Sequence, residues 1–347
     1  VLPKEEKHMS FRDHLKKVVQ KIDLSESEMS DMISEIFSGS ITDAQIGAMM
    51  AALATKGETF QELAGAARSM RRKAVRIQVQ SSVVVDTCGT GGDDAQTFNI
   101  STTTAFVVAG AGVTVAKHGN RSISSQCGSA DLLEALGMNL DIAPELVEEA
   151  IHEIGIGFLF APKYHGAMKH AAKARKEVGI RSIFNMLGPL TNPAAANCQL
   201  LGVYAPELTE MFAQALNLLG SQRAMVVHGH DGLDEISVCA PTRVCELKDG
   251  LISTYDVSPE QYFGEIAESE SIVGGTPEEN AEITQKILAG ETGPKRHVVL
   301  INAGAALMTT GKASNLQEGI DLAATSIDNG NAKEKLDQLV RFSNENG

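Results

Sequence analysis

The chain has 347 residues, of which 43% are hydrophobic and 21% charged, a globular composition with room for one large domain and a smaller one. Its net charge of -14 argues against nucleic acid as the main partner, because phosphate backbones are gripped by basic footprints, yet a local basic pocket can still collect a small anion. No apolar run approaches the ~18 residues of a spanning helix and no secretory leader is visible, so a cytoplasmic protein is expected. Cys88, Cys127, Cys198, Cys239 and Cys245 are odd in number and form no CxxC pair, which points to reduced thiols. Residues 1–8 are charged without an apolar period and are expected to precede a native start at Met9.

From Ser10 to about Ala74 the chain repeats one helix-start signal, a hydroxyl followed three residues later by an acid or amide. Ser25 with Glu28, Thr42 with Gln45 and Thr59 with Glu62 fit it, and Ser10 with Asp13 fits loosely, so a helical N-terminal lobe is predicted. Within it, Ile41 to Leu53 interleaves apolar side chains with Ala44, Gly47, Ala48 and Ala51, a close-packing face whose default is the domain core and whose alternative is a dimer seam. After Ile77 short apolar runs alternate with helices, the pattern of an α/β domain with a mainly parallel sheet. The predicted strands are Val83 to Asp86, Val113 to Lys117, Ile156 to Phe160, Ala224 to His228 and Val298 to Asn302. Helices are predicted to start near Thr102, Ser129, Pro144, Pro206 and Pro277, proline being favoured in a first turn. Glu235 to Val238 and Arg243 to Tyr255 fall outside this alternation, the latter with Asp249-Gly250 as a hairpin turn.

Four segments carry chemistry. Asp86-Thr87-Cys88-Gly89-Thr90-Gly91-Gly92-Asp93 joins an apolar strand to Asn99-Ile100-Ser101-Thr102 and a helix, an anion seat in which glycines let amides approach phosphate and the helix end adds partial positive charge. It matches neither the dinucleotide fingerprint nor the Walker loop, and alone such a cluster is often only a tight turn. Lys117-His118-Gly119-Asn120-Arg121 follows the next strand and brings cations to the same sheet edge, with Ser122, Ser124, Ser125, Gly128 and Ser129 as further donors. His228 to Glu235 ends in paired carboxylates, Asp234 and Glu235, hard oxygen ligands suited to magnesium, whereas its two histidines lack a third ligand for zinc. Tyr164-His165 leads into a helix with Lys169, Arg175 and Arg181 and then Phe184 to Pro193, and an arginine there suits a carboxylate.

Taken together these segments resemble the anthranilate phosphoribosyltransferases, in the nucleoside-phosphorylase-like phosphoribosyltransferase class. The resemblance runs from Ser10 to the C-terminus through Lys56 to Thr59, Gly89 to Asp93, Asn99 to Thr102, Lys117 to Arg121, Gly128 to Asp131, Arg181 to Pro193, Asp234-Glu235 and Asn302 to Leu307. It implies an α/β class protein, with a small helical domain over 9–76 joined by a segment near 165–185 and an α/β domain over the rest of 77–347. It also implies a homodimer binding Mg2+, anthranilate and phosphoribosyl diphosphate (PRPP). The PRPP side would comprise Gly89, Gly92, Asp93, Thr97, Asn99, Ser101, Thr102, Lys117 and Ser129; the anthranilate side Gly89, His118, Asn120, His165 and Arg175; the metal ligands Ser101, Asp234 and Glu235. No general base is implied, and Lys117 and Arg175 would act by position and charge. Two positions depart from the family, Gly166 standing for proline and Ser182 for threonine. Loops like GTGGD also occur in pyrimidine nucleoside phosphorylases, and a non-catalytic relative that binds nucleic acid is a further alternative.

Overall fold

The four hydroxyl-led pairs read from the sequence each stand at a helix start, where side chains three positions apart satisfy backbone N–H groups that the helix leaves open. In the computed structural model, which describes residues 9–93, 95–122 and 126–347, such boxes precede helices Phe11–Val19, Glu26–Phe37, Asp43–Lys56 and Phe60–Lys73. Ser124 and Ser125 lie outside the described residues. The chain divides into two compact units: the residues up to Ala74 with His165–Thr191, and Val75–Tyr164 with Asn192–Gly347.

In the helical unit one buried carboxylate ties together the approach to the second helix, the end of the third and the start of the fourth. Glu62 receives the Leu24 and Thr59 amides, each at 2.9 Å, and pairs with Lys56 Nζ at 2.9 Å. The Lys56-Gly57-Glu58-Thr59 motif is thus a helix-to-helix corner, turned by Gly57 at φ 86°. Helix Asp43–Lys56 buries Ile46, Met49, Met50 and Leu53 and leaves Ala44, Ala48 and Ala51 exposed. The small-residue face expected in the core therefore points outward, because the long apolar residues, with more area to remove from water, take the inner face.

The second unit is a seven-stranded sheet in the order β3-β2-β1-β4-β5-β6-β7. Its strands are β1 (Val84–Asp86), β2 (Thr114–Gly119), β3 (Ile156–Phe160), β4 (Cys198–Gly202), β5 (Arg223–Gly229), β6 (Thr242–Lys248) and β7 (Leu251–Val257). β1 to β5 run parallel, and β6 and β7 add an antiparallel edge joined at Asp249 and Gly250, whose φ of 51° and 80° make the expected hairpin turn. Strand order reverses between β1 and β4, the switch point beside which ligands bind in open α/β sheets.

One strand expectation needs correction, and one strand was not foreseen. Val298 to Asn302 lies inside helix Pro294–Thr309, which is buried on nearly every side, so its apolar run has no period to separate helix from strand. β4 escaped the reading although all five residues are buried, since Gln199 interrupts a short run that Gly202 ends. Glu235 to Val238 forms no strand.

The β4 end tolerates nothing larger than glycine. A Cβ on Gly202 would lie 1.4 Å from the Asp234 carbonyl oxygen, and one on Gly89 would lie 3.0 Å from Asp234 Oδ2. Gly202→Ala is therefore expected to cost at least about 1–3 kcal/mol, the range for overpacked sites, and to displace Asp234. Urea unfolding checks this, and an unchanged midpoint would contradict the close approach.

Candidate active site

The glycine loop leaves β1 at the switch point and is tied to the two segments beside it. Thr90 N–H donates to the Gly202 carbonyl at 2.9 Å, and Thr90 Oγ1 accepts from Tyr204 N–H at 3.2 Å. Gly91, with φ 65°, donates its amide to Asp234 Oδ2 at 2.8 Å, and Asp93 Oδ2 receives the Asp234 amide at 3.3 Å. Two of the loop's amides, those of Thr90 and Gly91, thus serve the Gly202 carbonyl and the Asp234 carboxylate.

Beyond the loop, Thr97 bridges to Val273 and Asn99 precedes helix Ile100–Gly110. The Asn99 amide is engaged within the protein: Nδ2 donates to Cys127 O at 3.0 Å, while Oδ1 accepts from Asn280 Nδ2 at 3.0 Å and from the Cys127 thiol at 3.1 Å. Ser101, through its hydroxyl and backbone N–H, favours the charged form of Glu235, so a carboxylate stands beside the helix N-terminus. Thr102 Oγ1 is buried with no hydrogen-bond partner among the described residues, a polar atom normally satisfied by protein, water or ligand.

Lys117 is buried near the end of β2, and its Nζ donates at 3.3 Å to the carbonyls of Thr87 and His118. Arg121 behaves differently from the expected loop cation. Its guanidinium bonds Asp131 at 3.0 Å and both oxygens of Glu134, and it stacks over Phe160 at 5.6 Å. Its charge is matched locally. Asn120 is exposed, with Oδ1 taking the Arg121 amide and its carbonyl taking that of Ala130, while Ser129 opens the next short helix.

Asp93, Asp234 and Glu235 gather negative charge. Burial first, then the neighbouring Asp93 and Glu235 charges, push Asp234 well above the usual carboxylate range. Burial likewise pushes Glu235 to about 8, against the pull of Lys117. Hard oxygens that repel one another fit a divalent cation, with the Ser101 hydroxyl beside them. Their ligand atoms do not close into a compact set. Among the described residues the trio that does, within 4.8 Å, is Asp86, Cys88 and His118. That trio is a poor cation seat, because Lys117 is its neighbour and burial pushes the Cys88 thiol up to about 12. The histidines before Asp234 hold no zinc arrangement: His228 Nδ1 lies 2.7 Å from the Val203 carbonyl, and His230 is exposed beside Asp256 at 3.6 Å.

On the helical unit, His165 is buried and pushed down to about 4, hence neutral at pH 7. Arg175 stacks over Phe184 at 5.8 Å and forms no ion pair among the described residues; burial lowers its pKa. Gly166 has open space around its missing Cβ, and Ser182 starts a short helix with its amide on Asn185 Oδ1 at 3.0 Å. Three residues with no role in the sequence reading hold the α/β site together. Asp86 accepts the His118 amide, Asn192 bonds Asp86, and Asn302 grips both the amide and carbonyl of Ile236, just after Glu235. All three lie in segments singled out in the sequence, but nothing local there marks them as partners of one another or of the site.

Fold and site define a glycosyltransferase of two-domain type. Residues 12–74 match the helical bundle domain, and residues 81–333 the a/b domain, of the glycosyl transferase family. The anthranilate phosphoribosyltransferase of Desulfosudis oleivorans is 68% identical over 338 residues, covering 97% of this chain and 100% of the relative. The crystal structure of the Thermus thermophilus enzyme of that name aligns with TM-score 0.91 and 42% identity, over 96% of this chain and 99% of that one. The Saccharomyces cerevisiae enzyme, in complex with PRPP and Mg, aligns with TM-score 0.88 and 29% identity over 98% and 100%. The chain belongs to the anthranilate phosphoribosyltransferase family, an enzyme family. Among the described residues no helix is long and apolar enough to cross a membrane.

The raised carboxylates set a direction for stability. A group whose folded pKa exceeds its unfolded value adds stability below the unfolded value and loses it as pH rises through the folded one. For Glu235 the loss runs from the ordinary 4.5 to about 8. Glu235→Gln should therefore melt higher than the parent without divalent cation, by a margin that grows between about pH 5 and pH 8, and should gain less from magnesium. Thermal melts at both pH values, with and without magnesium chloride, measure the margin; a pH-independent difference would contradict it.

Proposed function

We propose that the chain transfers the phosphoribosyl group of PRPP to the amine of anthranilate and releases diphosphate, with Mg2+ bound. The observation that carries this reading is the meeting of a buried lysine, a glycine loop and mutually repelling carboxylates at the β1–β4 switch point. Cleavage at the anomeric carbon leaves positive charge on the ribose and negative charge on the departing diphosphate. Lys117 stands ready to neutralise the latter, and the Thr102 hydroxyl supplies a donor with no other partner among the described residues. Asp234, Glu235 and Ser101 would hold the magnesium, whose charge, when bound, offsets that of the phosphates.

The PRPP assignments of Gly89, Gly92, Asp93, Thr97, Asn99, Ser101, Thr102, Lys117 and Ser129 are part of this proposal, as are those of Gly89, His118, Asn120, His165 and Arg175 to anthranilate. Arg175 offers a guanidinium to the acceptor carboxylate, while neutral His165 can hydrogen-bond without adding charge. An aryl amine is uncharged near pH 7, so attack needs no prior deprotonation. Positioning dominates, and correct alignment of two reactants can remove roughly 7–11 kcal/mol of barrier.

Turnover is followed by the loss of anthranilate fluorescence with PRPP and magnesium, and a parent protein without turnover would overturn the assignment. Replacing half-buried Arg175 by alanine should cost about 2 kcal/mol, the low end for an unpaired charge, or roughly 30-fold in KM for anthranilate. KM for PRPP should stay near its parent value; equal loss for both substrates would remove Arg175 from the acceptor.

A homodimer completes the proposal. The exposed Ala44, Ala48 and Ala51 lie at i, i+4 and i+7 of one helix and would let a second copy approach closely. Sedimentation at micromolar concentration should show a dimer that Ala48→Arg dissociates; a monomeric parent would refute it.

A further inference from the structure

The backbone ladder between β1 and β2 pairs Val84 with Thr114 and Val85 with Val115 and goes no further, although β2 continues to Gly119 against β3. Two buried side chains take over where it stops. Asp86 Oδ1 accepts the His118 amide at 3.1 Å, and Asp86 Oδ2 accepts from Asn192 Nδ2 at 2.7 Å. The same Asn192 nitrogen donates to the Ala116 carbonyl at 2.8 Å. The orientation of this amide is fixed, because Asn192 Oδ1 takes the Ala194 N–H at 2.8 Å and a flip would set oxygen against oxygen at Ala116 and Asp86. The two anchored backbone groups, Ala116 O and His118 N–H, flank Lys117 on either side.

We propose that Asp86 and Asn192 are positioning residues that act through Lys117, bracketing its backbone so that the ammonium is held ready for the diphosphate of the substrate. The inference rests on the role given to Lys117 in the proposed function. A buried carboxylate needs a reason to persist, and burial does raise the Asp86 pKa while the nearby Lys117 charge and the Asn192 and His118 hydrogen bonds oppose that rise. The side-chain bonds fix the β2 edge on both sides of Lys117 where strand pairing has ended, and Lys117 Nζ reaches Thr87 O in the glycine loop. A displacement of about 1 Å in such a group can cost on the order of a hundredfold.

The test uses inorganic diphosphate with magnesium as the probe, titrated calorimetrically into the parent, Asp86→Asn, Asn192→Ser, Lys117→Met and the two double variants with Lys117→Met. The steady-state parameters for PRPP and anthranilate are measured alongside. Asp86→Asn and Asn192→Ser should weaken diphosphate binding and raise KM for PRPP roughly tenfold to a hundredfold, with KM for anthranilate changed less than about threefold. In the Lys117→Met background neither substitution should weaken diphosphate binding further, since residues acting through one group are not additive. An equal loss in that background, or an equal rise in both KM values, would overturn the proposal and leave a merely structural pair. If Asp86→Asn does not fold, Asn192→Ser carries the test, because it leaves the carboxylate and its bond to His118 in place. Diphosphate binding needs no acceptor, so a parent that binds diphosphate but fails to consume anthranilate would refute the functional reading while the positioning test still returns its own result.

Discussion

Three backbone segments and one carboxylate share the space at the ends of β1 and β4, and the site depends on how closely they approach. Gly202 stands against the Asp234 carbonyl with no room for a methyl group, Gly89 stands against the Asp234 carboxylate, and the Gly91 amide closes the contact. That proximity joins the glycine loop after β1 to the carboxylate loop after β5 across the switch point. Asn302 holds the carboxylate loop from the other side through both polar groups of Ile236. The steric constraint is severe at Gly202, where a methyl group would displace the Asp234 backbone, and tight at Gly89, where it would press on the Asp234 carboxylate.

The same closeness creates an electrostatic tension. Asp234 and Glu235 are held near Asp93 in surroundings that disfavour charge, and both resist ionisation. Lys117, Ser101 and the helix N-terminus pull the other way without cancelling it. Clustered carboxyl oxygens whose ionisation is opposed in this way have the donor chemistry that a divalent cation favours, since its charge would relieve their mutual repulsion. Asp86 is handled differently, with a neutral donor on each oxygen and the Lys117 charge nearby.

Much of this was legible in the sequence because the relevant signals are local. A capping box occupies four residues, a type I′ turn two, and a glycine loop eight, and the structure closes each where the residues place it. Other features could not be read because their signals are not local. The run Val298 to Asn302 is buried from all sides as a helix, and a residue buried from all sides has no period to report. Arg121 looked like a cation for an anion, and only its distance to Glu134, thirteen residues on, shows where its charge goes. Ala44, Ala48 and Ala51 looked like core, and the face they occupy was decided by competition with Ile46, Met49, Met50 and Leu53 for the same interior.

By itself the sequence determined the helix starts, the alternation that yields a parallel sheet, the loop chemistry and, through their order along the chain, the resemblance to a family. These follow from short-range sterics and hydrogen bonding, which a few consecutive residues settle among themselves. The tertiary structure alone decided that Asn192 would reach Asp86 across 106 residues, that Gly91 would reach Asp234 across 143, and that the β1–β2 ladder would end in side chains. Those pairings depend on strand order and on which glycines permit close approach, properties of a sheet assembled from distant segments that no local stretch of chain encodes.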